Sequence, residues 1–201
     1  MALGFYFDSN KCIGCRTCHL ACKDLHGLGL GSTFRKVRAF EVGTYPETDG
    51  FRYSSSCNHC ENATCIKSCS TGAIFRDNDG TVQLNADICI GCKKCMANCP
   101  FDAINIVAHS TNKRRIVGKC DSCKALRDAG KNPICVDSCL MRCLDFGELD
   151  KLKQKYGLSG IAKISQLPAL ASVKNISDNL PQVLIKVKPC ALNSNFREVD
   201  I

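Results

Sequence analysis

Sixteen of the 18 cysteines in this 201-residue chain stand in four groups of four. Cys12, Cys15, Cys18 and Cys22 are spaced C-x2-C-x2-C-x3-C, and Cys89, Cys92, Cys95 and Cys99 repeat that spacing ahead of Pro100. Cys57, Cys60, Cys65 and Cys69 follow C-x2-C-x4-C-x3-C, while Cys120 and Cys123 are separated by eleven residues from Cys135 and Cys139. Only Cys143 and Cys190 stand outside the scheme. Such self-similarity is an internal repeat. A cubane of iron and sulfide presents four iron corners, each completed by one thiolate. Three cysteines at steps of three wrap three corners; the next, four residues on, begins a helix leading away and reaches a neighbouring cubane instead, as in two-cluster ferredoxins. Gly14 and Gly91 suit this turn, because a residue without Cβ lets backbone amides approach the sulfurs. Zinc needs four ligands, usually as two pairs, so four cysteines within eleven residues crowd one zinc site and leave a thiol over. Iron–sulfur chemistry is the better reading.

The expected fold is α+β and loop-rich: two ferredoxin-like two-cluster units, the inner inserted into the outer, with an irregular C-terminal tail. Residues 54–108 read as the inner unit. Within it Gly72-Ala73-Ile74 opens a short strand, Asn78-Asp79-Gly80 signals a hairpin turn, and Val82-Gln83-Leu84 is the return strand. The segment PFDAINIV after Cys99 supplies the matching strand of the second half. Residues 1–26 and 109–150 read as the split outer unit, with the apolar Gly4-Phe5-Tyr6-Phe7 pairing with Leu144-Asp145-Phe146-Gly147. Residues 27–53, with Arg35-Lys36-Val37-Arg38 and the turn-rich TYPETDG, read as a surface excursion connecting the two. GELDKLKQKY at 147–156 reads as a short charged helix; the tail, 151–201, has a strand candidate at Val183 to Val187 and is expected to wrap its own domain or a partner.

Crossing the fourth cysteines over gives four sets. Cys12, Cys15 and Cys18 join Cys139; Cys57, Cys60 and Cys65 join Cys99; Cys89, Cys92 and Cys95 join Cys69; and Cys120, Cys123 and Cys135 join Cys22. The simpler alternative, in which each group binds its own cluster, requires the fourth cysteine to bend back.

Composition agrees with a metal-organised interior. Hydrophobic residues make up 45 %, but cysteines are 18 of 201, and about 36 % remains without them, low for an ordinary globular domain. Disulfide scaffolds of this cysteine density are short and secreted, whereas MALGFYFDSNKC has neither the basic nor the apolar region of a signal peptide. No apolar run approaches the ~18 residues that cross a bilayer. The formal charge of +8 would ordinarily suggest nucleic acid. Each cubane with four thiolates carries about 2−, so four of them bring the balance close to zero. Lys11, Lys23, Lys93, Lys94, Lys113, Arg114, Arg115 and Lys119 all lie next to cluster motifs. Nucleic acid is not needed to explain them.

The motif order, with SCNHCE at 56–61, KCDSC at 119–123, KNPICVDSC at 131–139 and LDFGELD at 144–150, resembles the iron–sulfur subunit of the anaerobic dimethyl sulfoxide reductase family of molybdopterin oxidoreductases. The resemblance covers nearly the whole chain and weakens after about residue 160. It implies a non-catalytic electron-transfer subunit with four [4Fe-4S] clusters, the sixteen cysteines as ligands, between a membrane quinol-oxidising subunit and a molybdopterin catalytic subunit. It also implies export in company with that partner to the outer face of the cytoplasmic membrane. Related subunits serve polysulfide, thiosulfate and formate enzymes; a free polyferredoxin and a zinc-organised binding module are the rivals of other classes. Ser70 and Leu140 stand where the family commonly has proline after Cys69 and Cys139, which softens the turn without removing a ligand. Cys143 stands where relatives carry a small apolar residue and reads as packing.

His59, between two candidate ligands, either hydrogen-bonds a cluster sulfur or is an exposed or partner-contacting side chain. His19, His26 and His109 lack metal-ligand spacing and read as structural. Asn62-Ala63-Thr64 and Asn175-Ile176-Ser177 match the glycosylation pattern by chance. No phosphate loop, nucleophile elbow or carboxylate pair points to bond chemistry.

Overall fold

The computed structural model describes residues 2–109, 111, 113–171 and 176–200, so Asn175 of the second glycosylation pattern lies outside the described residues. The architecture is mixed α+β with short helices and small sheets. The first strand, β1 (Leu3–Asp8), is buried from Gly4 to Asp8. An apolar run without alternation fits a strand covered on both faces. Phe5 and Phe7 join the main core, whereas Tyr6 faces Leu152 and Leu184 and stacks on Tyr156 at 3.8 Å between centroids.

The first cysteine motif leads into α1 (Thr17–Leu25). Then come β2 (Arg35–Thr44) and β3 (Glu47–Ser56), an antiparallel hairpin in register from Arg35↔Ser56 to Thr44↔Glu47. This stretch, a surface excursion by its sequence, is the longest hairpin among the described residues, with Val37, Phe40, Val42, Phe51 and Tyr53 buried. Phe40 and Phe51 lie opposite one another and stack at 4.8 Å. Each such ring contributes about 1.5–3 kcal/mol by burial, which a solvated loop would forgo.

The middle of the protein is built from shorter pieces: α2 (Thr64–Lys67), β4 (Ile74–Arg76), β5 (Val82–Leu84), α3 (Lys94–Ala97), β6 (Ile104–Ala108) and β7 (Arg115–Lys119). β4 and β5 form the hairpin that Asn78-Asp79-Gly80 predicts. β6 is the strand expected from PFDAINIV, but its partner is β7, which no sequence signal singles out.

The fourth motif contributes α4 (Lys124–Asp128) and α5 (Ile134–Asp137), followed by β8 (Leu144–Glu148) and α6 (Leu149–Tyr156). β8 pairs antiparallel with β1, as expected, Phe5 facing Phe146. The helix expected from Gly147 starts at Leu149, because Gly147 and Glu148 pair with Gly4 and Leu3.

The tail is less irregular than expected. After β9 (Ile161–Ala162), α7 (Pro168–Ala171) and α8 (Ile176–Asn179), β10 (Val183–Lys186) runs parallel to β1, giving a sheet in the order β8-β1-β10-β9. β11 (Phe196–Val199) then adds to the edge of β2, with Arg38 and Glu198 paired across it at 2.6 Å. The tail thus packs on its own protein.

Candidate metal centres

All four motifs bend back through left-handed backbone. Gly14, His59, Gly91 and Ser122 each stand two residues after the first cysteine of a motif, with φ of 79°, 44°, 70° and 57°. Glycine takes this conformation without cost. At Gly91 it is required for a second reason, since a Cβ would stand 2.5 Å from the Arg115 carbonyl oxygen. His59 and Ser122 accept the strain because local bonds hold them. Val82 N–H donates to His59 Nδ1 at 3.0 Å, and Ser122 N–H donates to Cys120 Sγ at 3.3 Å.

The ends of three motifs share a second device. Cys69, Cys99 and Cys139 are each followed three residues later by a left-handed residue, Gly72, Asp102 and Arg142. The next residue, Ala73, Ala103 or Cys143, is small and buried, and its amide N–H points at the cysteine sulfur. A strand then starts at Ile74, Ile104 or Leu144. Cys143 therefore occupies the place of an alanine, and its Sγ lies 3.3 Å from Cys139 Sγ. Amides aimed at sulfur form a concavity that favours thiolate.

These turns gather the thiols. One hollow is lined by Cys12, Cys15, Cys18 and Cys139, with Val37, Ser54 and Cys143. A second is lined by Cys57, Cys60, Cys65 and Cys99. A third is lined by Cys69, Cys89, Cys92 and Cys95. Each takes three cysteines from one motif and one from another. The remaining four, Cys22, Cys120, Cys123 and Cys135, are buried; Cys22 lies on α1 and Cys135 on α5, two helices that pack together, and Cys22 and Cys135 bear electrostatically on Cys120, and Cys135 on Cys123. Cys15 and Cys92, at matching positions of their motifs, are the exposed ones.

Burial pushes Cys22 and Cys65 up to about 12 and Cys95 and Cys123 up to about 11. The ligand form is the thiolate, so iron binding at these positions expels protons. Four thiols around each concavity, with inward amides and no competing carboxylate lining the three hollows, fit an iron–sulfur cubane.

The histidines divide. His59 is 1 % exposed, which excludes the surface reading. Burial holds its ring well below the usual histidine range; with Nδ1 accepting from Val82, the proton sits on Nε2, which is buried without a partner. His26, structural by its sequence, lies 3.8 Å from Cys123 Sγ and 3.7 Å from the Asp121 carboxylate. Sequence spacing could not find that approach, because 97 residues separate His26 from Cys123. His109 faces Asp87 at 3.2 Å, away from the hollows.

In sequence Lys119 and Arg35 look like motif-flanking or surface cations, yet both are buried. The Lys119 ammonium donates to Val82 O and Cys120 O. Arg35 can be found from strand alternation, since it stands in phase with Val37 and Ala39, which are buried.

Fold and thiol chemistry together define an iron–sulfur protein. Comparison with known proteins narrows this. Residues 49–149 match the 4Fe-4S dicluster domain and residues 9–25 the 4Fe-4S binding domain. The sequence is 44 % identical over 174 residues to the B subunit of anaerobic dimethyl sulfoxide reductase from Haemophilus influenzae, covering 82 % of each. It is 39 % identical over 191 residues to the Escherichia coli protein of the same name and to YnfG, a probable anaerobic dimethyl sulfoxide reductase subunit of that organism, covering 91 % of this protein and 87 % of each relative. The protein belongs to the family of iron–sulfur electron-transfer subunits of anaerobic dimethyl sulfoxide reductases. No helix among the described residues is long and apolar enough to cross a membrane.

Proposed function

We propose that the protein holds four [4Fe-4S] clusters and relays electrons from a membrane quinol-oxidising subunit to a molybdopterin catalytic subunit that reduces dimethyl sulfoxide or a similar acceptor. It is itself non-catalytic. Each cluster supplies a one-electron centre, and the protein's part is to hold it, exclude water and set its charge surroundings. The ligand sets are Cys12, Cys15, Cys18 and Cys139; Cys57, Cys60, Cys65 and Cys99; Cys69, Cys89, Cys92 and Cys95; and Cys22, Cys120, Cys123 and Cys135. The observation that carries this is the lining of the three hollows, three thiols from one motif and the fourth from its partner.

Electrostatic coupling between thiols of different sets supports a linear order. Cys135 bears on Cys18, Cys57 on Cys120, and Cys95 on Cys65. The set of Cys12 thus neighbours that of Cys22, which neighbours that of Cys57, which neighbours that of Cys69. On this reading residues 54–108 are an inner two-cluster unit inserted into an outer one formed by 1–26 and 109–150. Relatives named as one subunit of a reductase support partnership with catalytic and membrane subunits. The outer face of the cytoplasmic membrane, reached with the catalytic subunit, completes the proposal.

Iron and acid-labile sulfide analysis of the purified protein tests it. About 16 Fe and a like amount of sulfide per molecule are expected, four per cluster. A colourless protein with stoichiometric zinc would defeat it. Cys139→Ser is expected to alter the cluster held by Cys12, Cys15 and Cys18; if it alters the one held by Cys120, Cys123 and Cys135, the crossed assignment fails.

A further inference from the structure

Arg35 is a charged side chain that the relay leaves unused. It opens β2 at 2 % exposure, and its guanidinium donates to Ser54 O and Ser54 Oγ, both at 3.1 Å, and to Ser56 Oγ at 2.9 Å. Its carbon centre lies 4.5 Å from the Phe5 ring centroid. The arginine–carboxylate pairs among the described residues are those of Arg38, Arg127 and Arg197, and none involves Arg35. An arginine keeps its proton, so burying one without an opposite charge is costly.

The groups that face it are thiols. Ser54, which accepts hydrogen bonds from the guanidinium, has its Oγ 3.5 Å from Cys18 Sγ. Helix α1, which carries Cys18 and Cys22, packs on β2 and on α5, which carries Cys135, and Cys135, Cys120 and Cys22 act on the guanidinium electrostatically along with Cys18. Cys18 belongs to one proposed ligand set, and Cys22, Cys120 and Cys135 to the next. The cation therefore stands between two sets, on the hairpin whose sequence reads as a solvated loop.

We infer that Arg35 is a buried counter-charge shared by the two outer clusters, raising the reduction potential of both relative to the inner pair. The inference rests on the four-cluster reading. An electron entering a cluster adds one negative charge, and a fixed positive charge nearby in a weakly screened interior stabilises that state. With Cys18 as a ligating thiolate, the Ser54 hydroxyl, accepting from Arg35, is the donor across its 3.5 Å contact with Cys18 Sγ and extends the effect to that sulfur. Arg35 is thus a positioning residue for charge and ligates nothing.

The test is a potentiometric titration of the iron-loaded protein, followed by electron paramagnetic resonance, for the wild type, Arg35→Gln, Arg35→Lys and Ser54→Ala. Arg35→Gln is expected to lower two of the four midpoint potentials by at least a tenfold change in the reduction equilibrium, about 59 mV for a one-electron step. The other two should move far less. Arg35→Lys should keep most of the effect, and Ser54→Ala should lower one of the two. Four unmoved potentials in Arg35→Gln, or four that move alike, would overturn the inference. If Arg35→Gln does not load iron, Ser54→Ala decides: one lowered potential supports the inference and none overturns it. A wild type with fewer than four one-electron centres would instead defeat the four-cluster reading beneath it.

Discussion

The inner motifs, around Cys57 to Cys99, and the outer ones, around Cys12 to Cys22 and Cys120 to Cys139, meet the same packing problem differently. The inner core is aliphatic and local: Ile74, Val82, Ile104, Ile116 and Val117 surround the thiols, on two-stranded ladders. The outer core contains Phe5, Phe7, Phe40, Phe51 and Tyr53 and draws on a hairpin and a tail strand far away in sequence. Where each motif ends in a turn, a small residue and a short strand, the repeat nearly closes on itself. The first motif does not, because α1 runs on to Leu25, and other elements must be brought in to cover it. Dependence on metal should differ accordingly.

Removing iron is the largest perturbation and the sharpest way to separate the two. In iron-depleted protein, hydrogen exchange read by mass spectrometry should be fast across residues 57–104, whose core is a few aliphatic side chains packed on thiols, with no aromatic ring among its buried members. β2, β3 and the β8-β1-β10 sheet should keep measurable protection through their aromatic packing. Equal loss in both would erase the distinction.

Next in size is the tail strand. Ile185 is 1 % exposed and pairs with Phe7. Ile185→Ala should cost about 2–5 kcal/mol, seen as a lowered denaturation midpoint, and should speed iron loss from the outer sets before the inner ones. An inner-first loss would contradict the assignment of the tail to the outer half.

Within the inner half, two glycines make a matched pair. Gly72→Ala meets nothing within 4 Å and bears only the left-handed strain, about 1–2 kcal/mol, whereas Gly91→Ala adds a collision with the Arg115 carbonyl. Chemical denaturation of the loaded protein should rank Gly91→Ala clearly below Gly72→Ala. Equal midpoints would show that β7 can move away.

A smaller effect tests a link between the halves. Arg127 of α4 pairs with Asp79 in the inner hairpin turn at 2.8 Å. Burial opposes ionisation of Asp79, but hydrogen bonds from Thr81 and Arg127 prevail and bring its carboxyl from 3.8 to about 2. A lowered carboxylate pKa stabilises the fold above the unfolded value and is lost as pH falls through the folded one, so the contribution fades between about pH 4 and 2. Asp79→Asn should cost under about 1 kcal/mol near neutrality, because the pair is partly exposed, and should flatten the acid limb in that window. An unchanged acid limb would remove the link.

Much of this is legible in the sequence. Strand β1 follows from an apolar run and its partner β8 from the matching place of Leu144 to Gly147 after the fourth motif, and the β4–β5 hairpin follows from its Asn-Asp-Gly turn. The β2–β3 hairpin follows only in part, since Arg35 stands in phase with the apolar Val37 and Ala39 but Ser54 and Ser56 opposite read as surface. Polar residues that satisfy one another inside a protein are invisible to a hydrophobic pattern. The parallel partner of β1 is hidden for another reason: Val183 to Lys186 announces a strand but not which strand it meets.

Cys143 gives the smallest expected change and the closest test of the repeat. Its place after Arg142 matches that of Ala73 after Gly72 and Ala103 after Asp102, and all three side chains are buried. Cys12 is brought down chiefly by a hydrogen bond from Cys143, whose own thiol is pushed up by that bond and by burial. Cys143 therefore stands as a neutral thiol donating toward a sulfur, in a position built for a small side chain. Cys143→Ala should retain the full iron content, within the error of a colorimetric assay, and change the denaturation midpoint little. Loss of about a quarter of the iron would make Cys143 a ligand, and the correspondence between the outer and inner turns would then fail at the buried position that follows the left-handed residue.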